Sequence, residues 1–294
     1  MTARFRRFAV VIAACVAAAM LLAACGSSDS TTSSSTPKVT ATTPSGSTIA
    51  LPAKYKGKTI VVATDASYAP SESFDKDGKT IIGFDVDLAN AIGKQLGVPV
   101  DVKNASFDGI IPGLAAGKYG IGMSSFTDNK EREKTVDFVT YFTAGSSFYV
   151  KAQGGPTINT VADLCGHTVA VEKGTVQADD AAAQAKKCKM TVSVFPDQNG
   201  ANLALQSGRA DVAMADSPVA AYAVKQSNGQ FKLSGSSYDD APYGIAIPKN
   251  SGLAVPIQKA VQALIDNGQY KQILDKWGVE AGAIPTAQVN AATS

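Results

Sequence analysis

Apolar residues in this chain fall into two kinds of pattern. Short runs such as TIVVAT at 59–64 and TVAVE at 168–172 follow a glycine turn and show little polar alternation, the mark of a strand buried on both faces of a parallel sheet. Longer stretches carry the helical period. In GFDVDLANAIGKQLGV at 83–98, Val86, Leu88, Ala89, Ile92 and Leu96 favour one face, and Gly97 is a stop signal. The same reading predicts helices over 107–116, about 176–187, about 199–207, Pro218 to about 226, 252–266 and 268–277. Strands are predicted over 101–105, 120–124, 145–152, 191–195, 210–214 and 243–248, and 65–80 reads as a loop. Tyr270, Ile273, Leu274 and Trp277 form an apolar stripe on the last helix that reads as core.

Two of these patterns repeat. LAAGKYGIGMSS at 114–125 and LQSGRADVAMAD at 205–216 share Leu, two residues, Gly, a cation, two residues, a β-branched residue, a small residue and Met. GKTIVVAT at 57–64 and GHTVAVEK at 166–173 echo each other in the same order. Two α/β lobes of like build are therefore expected. Open α/β sheets bind ligands beyond the carboxyl ends of their strands, and the repeats put Ser125 and Asp216 at matching strand ends. The expected division is a first lobe from 53–148 and 247–282, a second lobe from 149–246, and a flexible tail at 283–294. The runs 145–152 and 243–248 are the two crossings.

The first fifty residues have a different character. Arg4, Arg6 and Arg7 precede an apolar run from Phe8 to Ala24, a charged n-region and an h-region too short and Ala-rich to read as a membrane span. Leu22-Ala23-Ala24-Cys25 resembles the bacterial lipobox, whose cysteine is diacylated and becomes the new N-terminus; two acyl chains anchor a protein stably where one does not. An ordinary signal peptide with an incidental Cys25, or an uncleaved anchor, is the alternative. Residues 26–48 hold 15 Ser or Thr among 23 and few apolar side chains, so they offset little ordering entropy by burial. Residues 25–52 are expected to be a lipidated Cys and a flexible tether.

Charge and cysteine narrow the function. Removing the three leader arginines takes the 27 basic residues to 24 against 25 acidic ones, a formal net of −1. Nothing in that balance points to nucleic acid. Beyond Cys15 and Cys25, only Cys165 and Cys188 remain, an even pair in an exported domain and a candidate disulfide, two buried thiols being the alternative. With His167 the only histidine and no Cys-x-x-Cys, no metal site is expected.

Walker A, G-x-G-x-x-G after a strand and H-E-x-x-H are all absent. His167 lies at the start of a repeat strand, away from the expected cleft. The positive signals sit at strand ends. In SFTDNKER at 125–132, Asp128 and Glu131 have capping-box spacing, which predicts a helix beginning near 129 whose first turn holds Arg132. Arg132 can fork onto a carboxylate with two parallel hydrogen bonds; on spacing alone it equally fits a solvated patch with Lys130, Glu131, Glu133 and Lys134. EKGTVQ at 172–177 is a second strand-to-helix turn able to hold a carboxylate, or a plain βα connection. Asp216 precedes Ser217-Pro218 and could meet an ammonium group or cap the next helix. Asp65 follows the first strand, and Tyr68 and Phe126 could wall an apolar slot.

TDASYAP at 64–70, GFDVDL at 83–88, FDGIIPGLAAGK at 107–118, MSSFTDNKER at 123–132, DFVTYF at 137–142, EKGT at 172–175 and ADVAMAD at 210–216 occur in order, with DNGQY at 266–270 and KWG at 276–278 near the end. Over about 55–280 the chain resembles the amino-acid-binding extracytoplasmic solute-binding proteins of ABC importers, solute-binding family 3. The resemblance implies an α/β fold with two lobes, type II among periplasmic binding proteins, with two parallel-rich sheets and a double-crossover hinge. It also implies site roles. Arg132 would pair with a ligand α-carboxylate, assisted by N–H groups of Thr127 and Val176 at the Thr175 turn. Asp216 would take the α-ammonium together with Ser125, and Tyr68 and Phe126 would sandwich the side chain. Asp65 matches an acid that contacts the side-chain cation in binders of basic amino acids. Ser71 and Val176 depart from the family pattern, so the resemblance leaves side-chain specificity open.

The implied protein is a monomeric, extracytoplasmic substrate-binding lipoprotein of an ABC-type amino-acid importer, lipid-anchored to the outer face of the cell membrane. It would bind a free amino acid, polar or basic by the Asp65–Tyr68 signal, partner the permease subunits, and use no cofactor and no nucleic acid. A ligand-sensing module for a signalling partner is the alternative. A same-fold enzyme such as a cyclohexadienyl dehydratase would instead need a cleft acid to protonate a leaving hydroxyl.

Overall fold

A computed structural model of the chain describes residues 49–293. The expected leader, Cys25 and most of the tether lie outside the described residues. The chain enters through β1 (Ile60–Thr64), then three short strands, β2 (Ser67–Tyr68), β3 (Glu72–Phe74) and β4 (Ile81–Ile82), in the stretch expected to be a loop. There follow α1 (Phe84–Leu96), β5 (Val100–Asn104), α2 (Phe107–Ala115), β6 (Ile121–Gly122) and the single turn α3 (Lys130–Glu133). The long β7 (Val136–Lys151) leads to β8 (Thr168–Glu172), α4 (Val176–Ala185), β9 (Thr191–Phe195), α5 (Gln198–Ser207), β10 (Val212–Asp216) and α6 (Ser217–Gln226). A second long strand, β11 (Phe231–Pro248), precedes α7 (Ala254–Asp266) and α8 (Gln269–Trp277).

The repeats are structural. β5, β1 and β6 pair in parallel in the first lobe, and β9, β8 and β10 do so in the second. The two sets are hydrogen-bonded through β7 and β11 into one eight-stranded order, β5-β1-β6-β11-β7-β10-β8-β9. Both Leu-x-x-Gly echoes end a helix in the same way. Gly117 and Gly208 are left-handed (φ +73° and +76°) and donate to Leu114 O and Leu205 O, while Lys118 and Arg209 donate to Gly113 O and Ala204 O. Those two bonds are the Schellman closure, which favours glycine because a Cβ is disfavoured at positive φ. Leu114 and Leu205, like Met123 and Met214 beyond them, are buried.

Each lobe covers its sheet on both faces, which is why the strands show no polar alternation. In the first lobe, Leu88, Ile92, Val261, Leu264 and Leu274 from α1, α7 and α8 form one core layer, and Ile110 and Leu114 from α2 form the other. In the second, Ala201, Leu205 and Val219 from α5 and α6 cover one face, and Leu164 and Ala181 the other. Cys165 and Cys188 are joined, Cα to Cα 5.7 Å, tying the start of the second lobe to the end of α4.

The crossing begins at Val136, not at 145. Polar residues within it (Thr140, Thr143, Ser146, Ser147) mask one 16-residue strand as separate pieces. Its partner β11 runs antiparallel to it from Phe231 to Pro248, with register shifts between Ser234 and Ala241, where the chain passes between lobes. Gly145 faces this irregular stretch, and a Cβ there would lie 2.3 Å from Asp240 Oδ1.

Two boundaries are corrected. Leu51, assigned to the tether, is buried in the first-lobe core. Residues 283–293, expected to be a flexible tail, lie along the first-lobe part of β7: Val139 bridges Val289, Thr140 N donates to Gln288 O, and Phe138 N donates to Asn290 Oδ1 at 2.8 Å. β7 is flanked by β10 only in the second lobe, so its other half presents an open edge, which the tail covers. Among the described residues, no helix is long and apolar enough to cross a membrane.

Candidate functional site

Strand ends and helix starts of both lobes contribute to one small cavity. From the first lobe come Tyr68 of β2, Phe107 at the start of α2, Ser125 and Thr127 after β6, and Arg132 of α3. From the second come Glu172 at the end of β8, Thr175, Val176 and Gln177 at the start of α4, and Asp216 at the end of β10. A wider groove beside the hinge, between Tyr222 of α6 and Trp277, contains none of the predicted site residues.

Arg132 is placed by a helix start, though not by the expected cap. Asn129 is the cap, its Oδ1 accepting from Arg132 N at 2.9 Å. Asp128 is buried instead, with Oδ2 accepting from Ala291 N in the covering tail; burial pushes its carboxyl up to about 6. The Arg132 guanidinium donates to Thr127 O (2.8 Å) and, across the cleft, to Gly174 O (2.9 Å). It lies 5.4 Å from the Phe107 ring centroid and 5.6 Å from that of Phe126, within cation–π range. Burial lowers its pKa and Asp216 and Asp179 oppose that shift; a guanidinium stays charged in either case.

Asp216 occupies the cap position of α6 but makes no side-chain cap bond. Its Oδ1 accepts from Gln177 Nε2 at 2.7 Å, and the same amide donates to Ser146 Oγ at 2.8 Å. Burial raises its pKa, against the Gln177 hydrogen bond and the Arg132 charge. The structure thus brings a fixed cation of one lobe and a fixed carboxylate of the other to one cavity.

The remaining predicted residues divide. Ser125 is left-handed (φ +51°), which is uncommon outside glycine. Its N–H donates to Asp85 Oδ2 at 3.0 Å and its Oγ to Ser71 Oγ at 2.7 Å. Thr175 caps α4, with Oγ accepting from Ala178 N and donating to Glu172 O. Val176 is the first residue of that helix, and its N-terminal end faces the cavity, a position that favours anions. Phe126 does not line the cavity; it stacks behind Phe107, ring centroids 4.6 Å apart. Asp65 does not line it either, because Oδ2 accepts from Phe107 N (2.9 Å) and Oδ1 from Ser67 N (3.1 Å).

Phe107, Glu172 and Gln177 line the cavity without having been singled out from the sequence. The sequence signal for Glu172 is its place at the end of a repeated strand, just before the Gly-Thr turn. Among the described residues, polar contacts that close the lobes on each other include Arg132 to Gly174, Asp216 N to Tyr68 Oη (3.1 Å), Gln198 N to Ser67 Oγ (3.1 Å) and Lys173 to Asp108 (2.7 Å).

The family model of the bacterial extracellular solute-binding proteins, family 3, matches residues 60–280. The chain belongs to that family. Among its relatives is the arginine-binding protein ArgT of Corynebacterium glutamicum, 35% identical over 238 residues that cover 79% of this chain and 78% of that protein. The L-arginine-binding protein of Pseudomonas aeruginosa is 32% identical over 245 residues, covering 79% of this chain and 92% of that protein. Of solved structures, an ancestral arginine-binding protein bound to arginine superposes with a TM-score of 0.72 at 39% identity, covering 74% of this chain and 97% of that one. The fold is accordingly that of the two-lobed amino-acid-binding proteins.

Proposed function

We propose that this chain is the substrate-binding lipoprotein of an ABC-type amino-acid importer, closing its lobes over one free amino acid with a polar or basic side chain. One observation carries the reading: Arg132 of the first lobe and Asp216 of the second face the same buried cavity. An amino-acid zwitterion entering a closed cleft loses water at both ends, and only fixed, oppositely charged groups replace it without a large desolvation cost. Arg132, with the N–H groups of Thr127 and Val176, receives the α-carboxylate. Asp216 and Ser125 receive the α-ammonium. Tyr68 and Phe107 wall the side chain, with Phe126 supporting Phe107 from behind. Because the ligand touches both lobes, it binds the closed state with higher affinity and shifts the population towards it. The permease subunits then read closure as occupancy.

Cys25 would be diacylated and residues 26–48 would tether the domain at the outer face of the cell membrane; metabolic labelling with palmitate, lost in Cys25→Ala, tests that part. Calorimetry with the twenty amino acids tests the binding. Arg132→Ala should weaken the bound amino acid by roughly 3–5 kcal/mol, the cost of leaving a buried carboxylate unpaired; unchanged affinity would sink the assigned role. Turnover of prephenate or arogenate would instead favour an enzyme.

A further inference from the structure

The roles above account for every charge in the cavity but one. Glu172 ends the buried strand β8, is only 1% exposed, and lines the cavity. Its Oε1 has no hydrogen-bond partner. The neighbouring acids are all engaged. Asp65 is held by Phe107 N and Ser67 N, Asp197 caps Gly200 N at 2.7 Å, Asp216 takes the Gln177 amide, and Asp108 pairs with Lys173. Lys173, next in sequence, is therefore turned to the rim and does not neutralise Glu172. Among the described residues, the one cation lining the cavity is Arg132, the partner of the ligand carboxylate in the reading above.

A carboxyl in this position is unstable as a lone anion. Burial raises its pKa first, and the charges of Asp65, Asp197, Asp216 and Asp108 raise it further. Such a group is relieved either by keeping a proton or by meeting a cation. The ligand can supply the cation. Its α-carboxylate and α-ammonium use Arg132 and Asp216, so only a positive side chain remains to answer Glu172.

We propose that Glu172 receives the side-chain cation of the ligand, so that this cleft selects amino acids of net charge +1 that carry a guanidinium or ammonium head. The inference rests on the amino-acid-binding reading and adds to it the group that sets specificity. It assigns to Glu172 of the second lobe the task that family resemblance assigns to Asp65 of the first, whose carboxylate is already occupied by backbone donors.

Arginine against citrulline tests it, because the two match in shape and differ in charge. By calorimetry on the full chain in detergent, wild type should prefer arginine by at least about 30-fold, the loss typical of breaking one buried charge pair. Glu172→Gln should bring the two ligands to within about threefold by weakening arginine alone. Should thermal melting show that Glu172→Gln does not fold, Glu172→Asp keeps the charge and should retain a clear preference for arginine. Equal affinities in wild type, an equal loss of both ligands in Glu172→Gln, or loss of the preference in Glu172→Asp would overturn the inference while leaving an amino-acid binder. Wild type that binds none of the amino acids would overturn the underlying reading itself.

Discussion

The backbone N–H of Asp216 donates to the hydroxyl of Tyr68 at 3.1 Å, and this bond joins the two lobes through two residues that line the cavity. Tyr68 is buried, and burial, with the charges of Asp216 and Glu172, raises its hydroxyl pKa well above the ordinary value, so it stays protonated. Tyr68→Phe keeps the ring and removes the acceptor, leaving a buried N–H unsatisfied only when the lobes are closed. The expected cost is about 1–3 kcal/mol on the closed state. Amino-acid affinity should fall by roughly 5- to 150-fold, while the thermal midpoint without ligand changes little. Small-angle scattering with saturating ligand should still show closure; a variant with wild-type affinity would mean that this bond does not contribute.

The disulfide makes a separate prediction. Cys165 and Cys188 enclose a loop within the second lobe, and neither lines the cavity. Closing a loop of this size is worth about 3 kcal/mol through the unfolded chain. Replacing both cysteines by serine should lower the urea midpoint by a matching amount and leave ligand affinity within about twofold. A large loss of affinity would tie the second lobe's outer packing to the cleft.

The covering strand at the C-terminus predicts its own effect. Ending the chain after residue 284 removes the Val289 bridge to Val139, the buried Ala287 and the Asn290 pairing to Phe138, and reopens the edge of β7. Loss of several partly exposed hydrogen bonds and one small apolar contact should cost about 2–3 kcal/mol. The reopened edge should also raise aggregation, measurable by light scattering during a thermal ramp. Unchanged stability and solubility would mean that the segment only rests on the surface.

What could be read from the sequence follows the physics of each feature. The repeats were legible because both lobes solve the same problem at Gly117 and Gly208, a helix stopped by a left-handed residue just before a doubly covered strand. Arg132 and Asp216 were legible as candidates because they follow those strands. The long β7 was not, since its polar residues break the apolar run that signals a buried strand. Nor was the tail: a stretch of Ala, Gln, Thr and Asn has no periodicity, and only the vacant strand edge, a property of the assembled fold, gives it a place. The sequence named Phe126 as a wall of the slot; Phe107 lines the cavity in its place, because Phe126 stacks against it one layer away. Asp65 looked free because its partners, Phe107 N and Ser67 N, are backbone groups that no side-chain pattern announces.

Behind Ser125, a buried carboxyl pair sets the pH response. Ser124 Oγ donates to Glu72 Oε1 at 2.6 Å and Tyr141 Oη to Asp85 Oδ2 at 2.7 Å, with Glu72 Oε2 and Asp85 Oδ1 left without other partners. Burial pushes Asp85 up to about 7, and burial with the neighbouring Asp85 charge holds Glu72 well above the usual range. Asp128, at about 6, shifts the same way. Between pH about 4 and about 7 the folded protein therefore keeps protons that the unfolded chain has released. Stability must fall as pH rises through that window, by up to about 1.4 kcal/mol per pH unit for each such group. Carboxylates held below their usual range, such as Asp137 beside Lys249, act in the opposite direction but mainly below this window. Urea midpoints should consequently be higher at pH 5 than at pH 8. Glu72→Gln deletes one of the two groups that keep a proton in the folded state, and should flatten the slope between pH 5 and 7. A midpoint that rises with pH in wild type, or a slope untouched in Glu72→Gln, would show that this pair is not what holds the protons.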